Sequence, residues 1–169
     1  MADWEMRSEI EGDVVFFRYT GENLERAFSE VYVWDLDKTY LDTSWASASE
    51  LWRTVIEKAF QKKNIPGTAS LVRALRSGWE DKRGQLAFPI YFITASPPQM
   101  EEKITQKLEL DEIKPLGAFF KDNLKNWKPS RWWRLTKQVG FKVQALLQLR
   151  TRLKEDVRQV LWGDDSESD

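Results

Sequence analysis

The chain of 169 residues contains neither cysteine nor histidine. Without cysteine there are no disulfides, thiol nucleophiles or thiolate metal sites, and the redox compartment stays undetermined. Without histidine, Ser-His-Asp hydrolysis and His-ligated zinc are excluded within this chain. Its chemistry must come from carboxylates, lysines, hydroxyls and an oxygen-ligated metal. A charge excess is missing too: 26 Lys and Arg stand against 27 Asp and Glu, so no global bias points to nucleic acid or membrane. No uncharged apolar run approaches the roughly 20 residues that span a bilayer, and residues 1–12 lack the basic start and apolar centre of a signal peptide. The expectation is a soluble, intracellular and by default cytoplasmic protein.

Aromatic residues are plentiful, with nine Trp and nine Phe in a chain that is 41% hydrophobic. That composition and length fit one globular domain with a respectable core. The chain is organised around Val31-Tyr32-Val33-Trp34-Asp35-Leu36-Asp37-Lys38-Thr39-Tyr40. Residues 31–34 have the composition of a strand buried on both faces of a parallel sheet, and they stop at Asp35, the edge where open α/β sheets bind ligands. Two carboxylates at i and i+2 can divide labour. One can attack phosphorus, the other can move a proton, and together they attract Mg2+, a hard ion that prefers oxygen ligands. The same pair also suits a strand-end cap or a solvated turn.

Taken in order, Val14 to Tyr19 reads as a strand within an N-terminal extension, 1–30, that precedes the main domain, 31–169. A helix is expected over Trp45 to Lys62, and a shorter one over Ala69 to Arg76 that ends near Gly78. Phe88 to Ala95 is a second buried strand ending at Thr94, whose hydroxyl either reaches a phosphoryl oxygen or bonds to the loop backbone. Ser96 and Gln99 fit a capping box, and the prolines fit the first turn of a helix over 97–108. Leu116 to Phe120 reads as a third strand, Phe141 to Arg152 as a helix, and Val157 to Trp162 as a last buried strand ending in Gly163-Asp164-Asp165-Ser166-Glu167-Ser168-Asp169. Between Lys121 and Lys154 ten basic residues stand against Asp122, with Trp127, Trp132 and Trp133 among them. Such interleaving suits phospholipid headgroups or single-stranded nucleic acid, or else a solvated helix face with Trp packed inward. The strand–helix alternation predicts an α/β fold with a parallel sheet flanked by helices and right-handed crossovers.

Four features fall in sequence: Asp-x-Asp-x-Thr at 35–39, a strand ending in Thr94, a lysine at the head of a helix, and Gly163-Asp164 with Asp169 after a strand. Together they resemble the haloacid dehalogenase (HAD) superfamily, whose phosphatases use a Rossmann-like sheet, an aspartyl nucleophile and Mg2+. The resemblance implies Asp35 as nucleophile and metal ligand, and Asp37 as general acid/base whose backbone carbonyl also binds the metal. It implies Thr94, with Ser96, on the substrate's phosphoryl group, and Lys142 neutralising charge, with Lys137 as the competing lysine. Asp164 would bind Mg2+ directly, and Asp165 or Asp169 would hold a metal-bound water. A narrower likeness lies in Phe-Ile-Thr-Ala-Ser-Pro-Pro-Gln at 92–99, which resembles the strand-Ser-x-Ser-Pro segment of lipin-like phosphatidate phosphatases, with departures at Thr94 and Pro98. It implies a phosphorylated lipid at a membrane surface as substrate.

About 55 residues from Thr39 to Thr94, and about 47 from Thr94 to Lys142, leave no room for a large cap domain. An uncapped site suits a bulky substrate. The chain stops at the last carboxylate of the fourth motif, where such a fold is expected to continue, so truncation is expected at this end. Two other functions fit the same features. One is a non-catalytic module of this fold that binds anionic membranes or partners through 121–154, and the other is a phosphatase of nucleic-acid ends.

Overall fold

The computed structural model describes residues 3–21, 28–41, 64–83, 87–122 and 138–164. The expected helix over Trp45 to Lys62 lies outside them. Six strands form one sheet: β1 (Ser8–Glu11), β2 (Val14–Arg18), β3 (Glu30–Asp35), β4 (Ile90–Thr94), β5 (Gly117–Lys121) and β6 (Arg158–Trp162), in the order β1-β2-β5-β4-β3-β6. Helices flank them: α1 (Asp3–Met6), α2 (Thr68–Arg83), α3 (Glu101–Leu110) and α4 (Gln138–Arg152).

Four strands, β5-β4-β3-β6, run parallel. The expectation of a wholly parallel sheet is corrected beyond β5, where β2 pairs antiparallel and β1 pairs antiparallel to β2. For the β1–β2 pair the physical reason is short connection length, since the two-residue turn between them closes only an antiparallel hairpin. Val14 to Phe17 are all buried. Phe16 stacks on Phe119 at 4.6 Å between centroids, and Phe17 meets Phe120 edge-on. Gly117 is required at this seam, because a Cβ there would lie 2.5 Å from the Phe16 ring and 2.7 Å from the Phe17 carbonyl oxygen.

Two other expectations change. Helix α2 runs through Gly78 to Arg83, although glycine in a helix interior costs about 1 kcal/mol relative to alanine. Trp79, the next residue, is buried against Phe28, Tyr32 and Phe88, and that packing carries the helix past the weak position. The last strand is not buried: β6 is the sheet edge, and all five of its residues are partly or fully exposed. Its inner contact is Trp162, stacked on Trp34 at 4.9 Å.

Residues 97–108 form a short 3-10 turn, Pro98–Met100, leading into α3. No side chain caps it; Pro97 occupies the N-cap, so the expected capping box at Ser96 is absent. The backbone amide of Ser96 is directed instead at Thr94 Oγ1, 3.0 Å away.

Candidate active site

The sheet register aligns the strand tips. Asp35 pairs with Ile93, Thr94 with Phe120, and Trp34 with Trp162. Strand order runs β3, β4, β5 to one side, and the chain then returns to place β6 on the other side of β3. The reversal between β3 and β6 falls at the carboxyl edge, the usual ligand position in such sheets. Asp35 ends one of these strands and Asp164 follows the other.

The turn after β3 is tight. The Leu36 amide donates to Ile93 O, and the amides of Tyr40 and Leu41 both donate back to Leu36 O. Lys38 takes φ 59°, the left-handed region that lets the chain reverse there. The reversal lays Thr39 over Asp35, and Thr39 Oγ1 donates to Asp35 Oδ2 at 3.4 Å. Tyr40, buried, donates its hydroxyl to Asp111 Oδ2 at 2.6 Å, which anchors the turn to the end of α3.

The two carboxylates have different partners. Lys142, on the second turn of α4, places Nζ 3.1 Å from Asp35 Oδ2. Among the described residues, Asp35 Oδ1 is buried and accepts no hydrogen bond. Asp37 Oδ2 accepts from Thr94 Oγ1 at 2.8 Å and from the Ala95 amide at 2.9 Å. Burial pushes the Asp35 carboxyl up to about 6, Lys142 pulls it back, and the charges of Asp37 and then Asp164 add to the rise. Asp35 is thus a desolvated carboxylate beside like charges, held by one lysine.

Of the residues expected from sequence, Asp35, Asp37, Thr94 and Lys142 come together, and Ser96 joins through its backbone. Thr94 does bond to the loop backbone, accepting from the Ser96 amide, and it also turns its hydroxyl hydrogen to Asp37, a partner the sequence did not name. Asp164 is exposed and acts on Asp35 through its charge. Asp165, Asp169, Lys137 and the three Trp between 121 and 154 lie outside the described residues. Among the described residues, no three acidic side chains converge at ligating distance.

Sequence reading assigned no role to Thr39, although its place in Asp-x-Asp-x-Thr signals one, and it missed the Ala95 amide, which no side-chain pattern reveals. It also grouped Lys121 and Asp122 with a basic surface stretch. Both are buried. Lys121 closes β5 between Val14 of β2 and the Ser96 carbonyl, and the Asp122 amide donates to Asp13 O.

A buried, lysine-held carboxylate stands two residues from a second one braced by hydroxyl and amide, at the carboxyl edge of the four parallel strands, an arrangement chemically able to carry nucleophilic attack and proton transfer. Across residues 31–169 the chain matches the family described as the phosphatidate phosphatase APP1 catalytic domain, and it belongs to that family. Comparison with curated proteins returned no match, nor did comparison with solved structures. Among the described residues no helix is long and apolar enough to cross a membrane.

Proposed function

We propose that this chain is a Mg2+-dependent phosphatase of the HAD type, hydrolysing phosphatidate-like lipids through an aspartyl phosphate on Asp35. One observation carries the reading: a buried carboxylate whose Oδ2 is held by Lys142 and Thr39 while Oδ1 accepts no hydrogen bond among the described residues. Such an oxygen, desolvated and aimed by its partners, fits a nucleophile or a metal ligand better than a structural cap, which would be satisfied by amides. In the first step an Asp35 oxygen attacks phosphorus, the ester P–O bond breaks, and the Asp37 carboxyl gives its proton to the leaving lipid alkoxide. In the second step Asp37 takes a proton from water, whose oxygen attacks phosphorus. The bond to Asp35 then breaks and inorganic phosphate leaves.

The donor set is compatible with Mg2+, because it offers only oxygens and carries surplus negative charge. Asp35, the Asp37 carbonyl and Asp164 are the candidate ligands, with Asp165 and Asp169 as the candidates for a bound water. When bound, the ion would offset that charge so that a phosphate dianion can approach. Lys142 would share the work by stabilising charge on the transferring group. Thr94 orients Asp37 and would reach a phosphoryl oxygen by exchanging that bond.

The test is release of phosphate from phosphatidate vesicles and from an aryl phosphate, with Mg2+ or with chelator, for the parent chain and Asp35→Asn. The expected result is turnover that needs Mg2+ and falls at least about a thousandfold in the variant, as loss of a group acting in the transition state requires. Equal turnover in both proteins would refute the aspartyl mechanism. Hydrolysis of the aryl phosphate alone would refute the lipid assignment.

A further inference from the structure

The loop that carries the donors to Asp37 is held at both ends. Thr94 Oγ1 and the Ala95 amide meet Asp37 Oδ2, and six residues past Ala95 the chain enters α3 at Glu101. The connection is stiff, because Ser96, Pro97, Pro98 and Met100 are buried and the two prolines fix their own φ. At one end it continues β4, inside the sheet. At the other end no side chain caps the 3-10 turn or α3, although a side-chain cap is the usual way to fix a helix start. The hold on that end comes from another part of the chain.

Glu101 is 4% exposed, and a buried carboxylate needs a partner. Arg7 supplies it, with Nη1 donating to Glu101 Oε2 at 3.1 Å. The other oxygen, Oε1, lies 3.1 Å from Thr105 Oγ1, which is itself 3.3 Å from the Tyr19 hydroxyl. Arg7 also faces Asp3 at 3.3 Å and Glu102 at 3.5 Å, but those carboxylates are largely exposed and contribute little. The arginine is itself fixed: it stands between α1 and β1, and its amide donates to Trp4 O. Strand β1 is tied through β2 to β5. Arg7 and Tyr19 both precede residue 31, where the family match begins. An element outside the matched domain thus grips the head of the helix next to the site.

We propose that Arg7, acting through Glu101, positions the 95–100 loop so that its donors hold Asp37 for proton transfer to the leaving group. Arg7 is a positioning residue and touches no substrate. The inference rests on the reading of Asp37 as proton donor given above, whereas the hold on the loop can be measured without turnover.

The test compares the full parent chain with Arg7→Met, Arg7→Lys and, as control, Arg18→Met, which loses a bond to Glu9 within the same N-terminal extension. One readout is turnover of nitrophenyl phosphate, whose phenolate leaves with little help, beside that of butyl phosphate, whose alkoxide needs the proton. The other is hydrogen exchange over 95–101, followed by mass spectrometry. A displaced proton donor harms the poor leaving group more, so Arg7→Met is expected to lose about tenfold more turnover of butyl phosphate than of nitrophenyl phosphate. Exchange over 95–101 is expected to quicken in Arg7→Met, to return partway in Arg7→Lys and to match the parent in Arg18→Met. An equal fall on both substrates overturns the proposal, because a smaller folded fraction lowers both alike. Parent-like exchange in Arg7→Met overturns it too, as does the same change in the control. If the parent hydrolyses neither substrate, the phosphatase reading fails. Faster exchange in Arg7→Met then still supports the hold on the loop, and parent-like exchange refutes it.

Discussion

Thr94 shows how a single hydroxyl can decide the state of its neighbour. It is 1% exposed, accepts from the Ser96 amide and donates to Asp37 Oδ2, so its proton has one direction to go. Thr94→Val removes a donor to that oxygen and leaves a buried carboxylate short of a partner, at about 1–3 kcal/mol. Turnover of an aryl phosphate is expected to fall about a hundredfold in Thr94→Val and much less in Thr94→Ser; equal losses in the two would mean that the methyl group matters and the hydroxyl does not. Asp35 obeys the opposite logic. Its carboxyl is raised because the folded state disfavours its charge, so its ionisation opposes folding above about pH 6, and that opposition is relieved as pH falls toward the ordinary carboxylate value. Asp35→Asn is therefore expected to abolish turnover and, by calorimetry at neutral pH in chelator, to melt no lower than the parent.

Among the elements, the turn after β3 depends on its anchor at the end of α3. Asp111 gathers the Tyr40 hydroxyl, the Asn64 amide at 2.9 Å and the Lys107 ammonium at 2.6 Å, and its carbonyl accepts from Arg73. Burial alone would push the Asp111 carboxyl up, but the hydrogen bonds from Lys107, Tyr40 and Asn64 outweigh it and hold it below its ordinary value of 3.8. A lowered carboxyl contributes stability that is fully present above the unfolded value and is lost as pH falls through the folded one. The melting temperature of the parent is thus expected to exceed that of Asp111→Asn by a constant margin at pH 5–8, with the gap closing below about pH 4. A margin independent of pH down to 2 would show that packing, and not the charged form, holds the turn. Helix α2 teaches a related lesson, since Gly78 was a sound local stop signal and was overruled by the burial of Trp79.

For the whole molecule, the notable junction lies outside the family match, which begins at residue 31. Strand β2 is nevertheless a full member of the sheet: Val14 to Arg18 pair with Lys121 to Gly117, and their aromatic rings pack on those of β5. A chain beginning at Val31 would expose the β5 edge and the aromatic surface that Phe16 and Phe17 cover. Such edges invite pairing with other chains. That truncated chain is expected to aggregate on expression or to melt far below the full chain by circular dichroism. Equal stability would show that the hairpin is an appendage.

Much of the site was legible because its signals are local. An apolar run that stops at Asp35, a strand that stops at Thr94, and a lysine early in a helix are patterns within a few residues, where period and composition suffice. Five of the six strands were read for the same reason, within a residue or two of their ends, whereas β1, Ser8–Glu11, was not, because its largely exposed residues carry no buried apolar pattern. Contacts between distant segments were decided by the sheet. Lys142 reaches Asp35 across 107 residues and Thr94 reaches Asp37 across 57, distances over which only register and helix placement determine what meets. The same holds for the antiparallel addition of β2, the exposure of β6 at the sheet edge and the burial of Lys121. By itself the sequence determined which groups stand at the strand tips, because strand and turn propensities act on neighbours. Only the tertiary structure decided which of those groups touch, because hydrogen-bond pairing between strands and the packing of α4 join residues that local chemistry cannot relate.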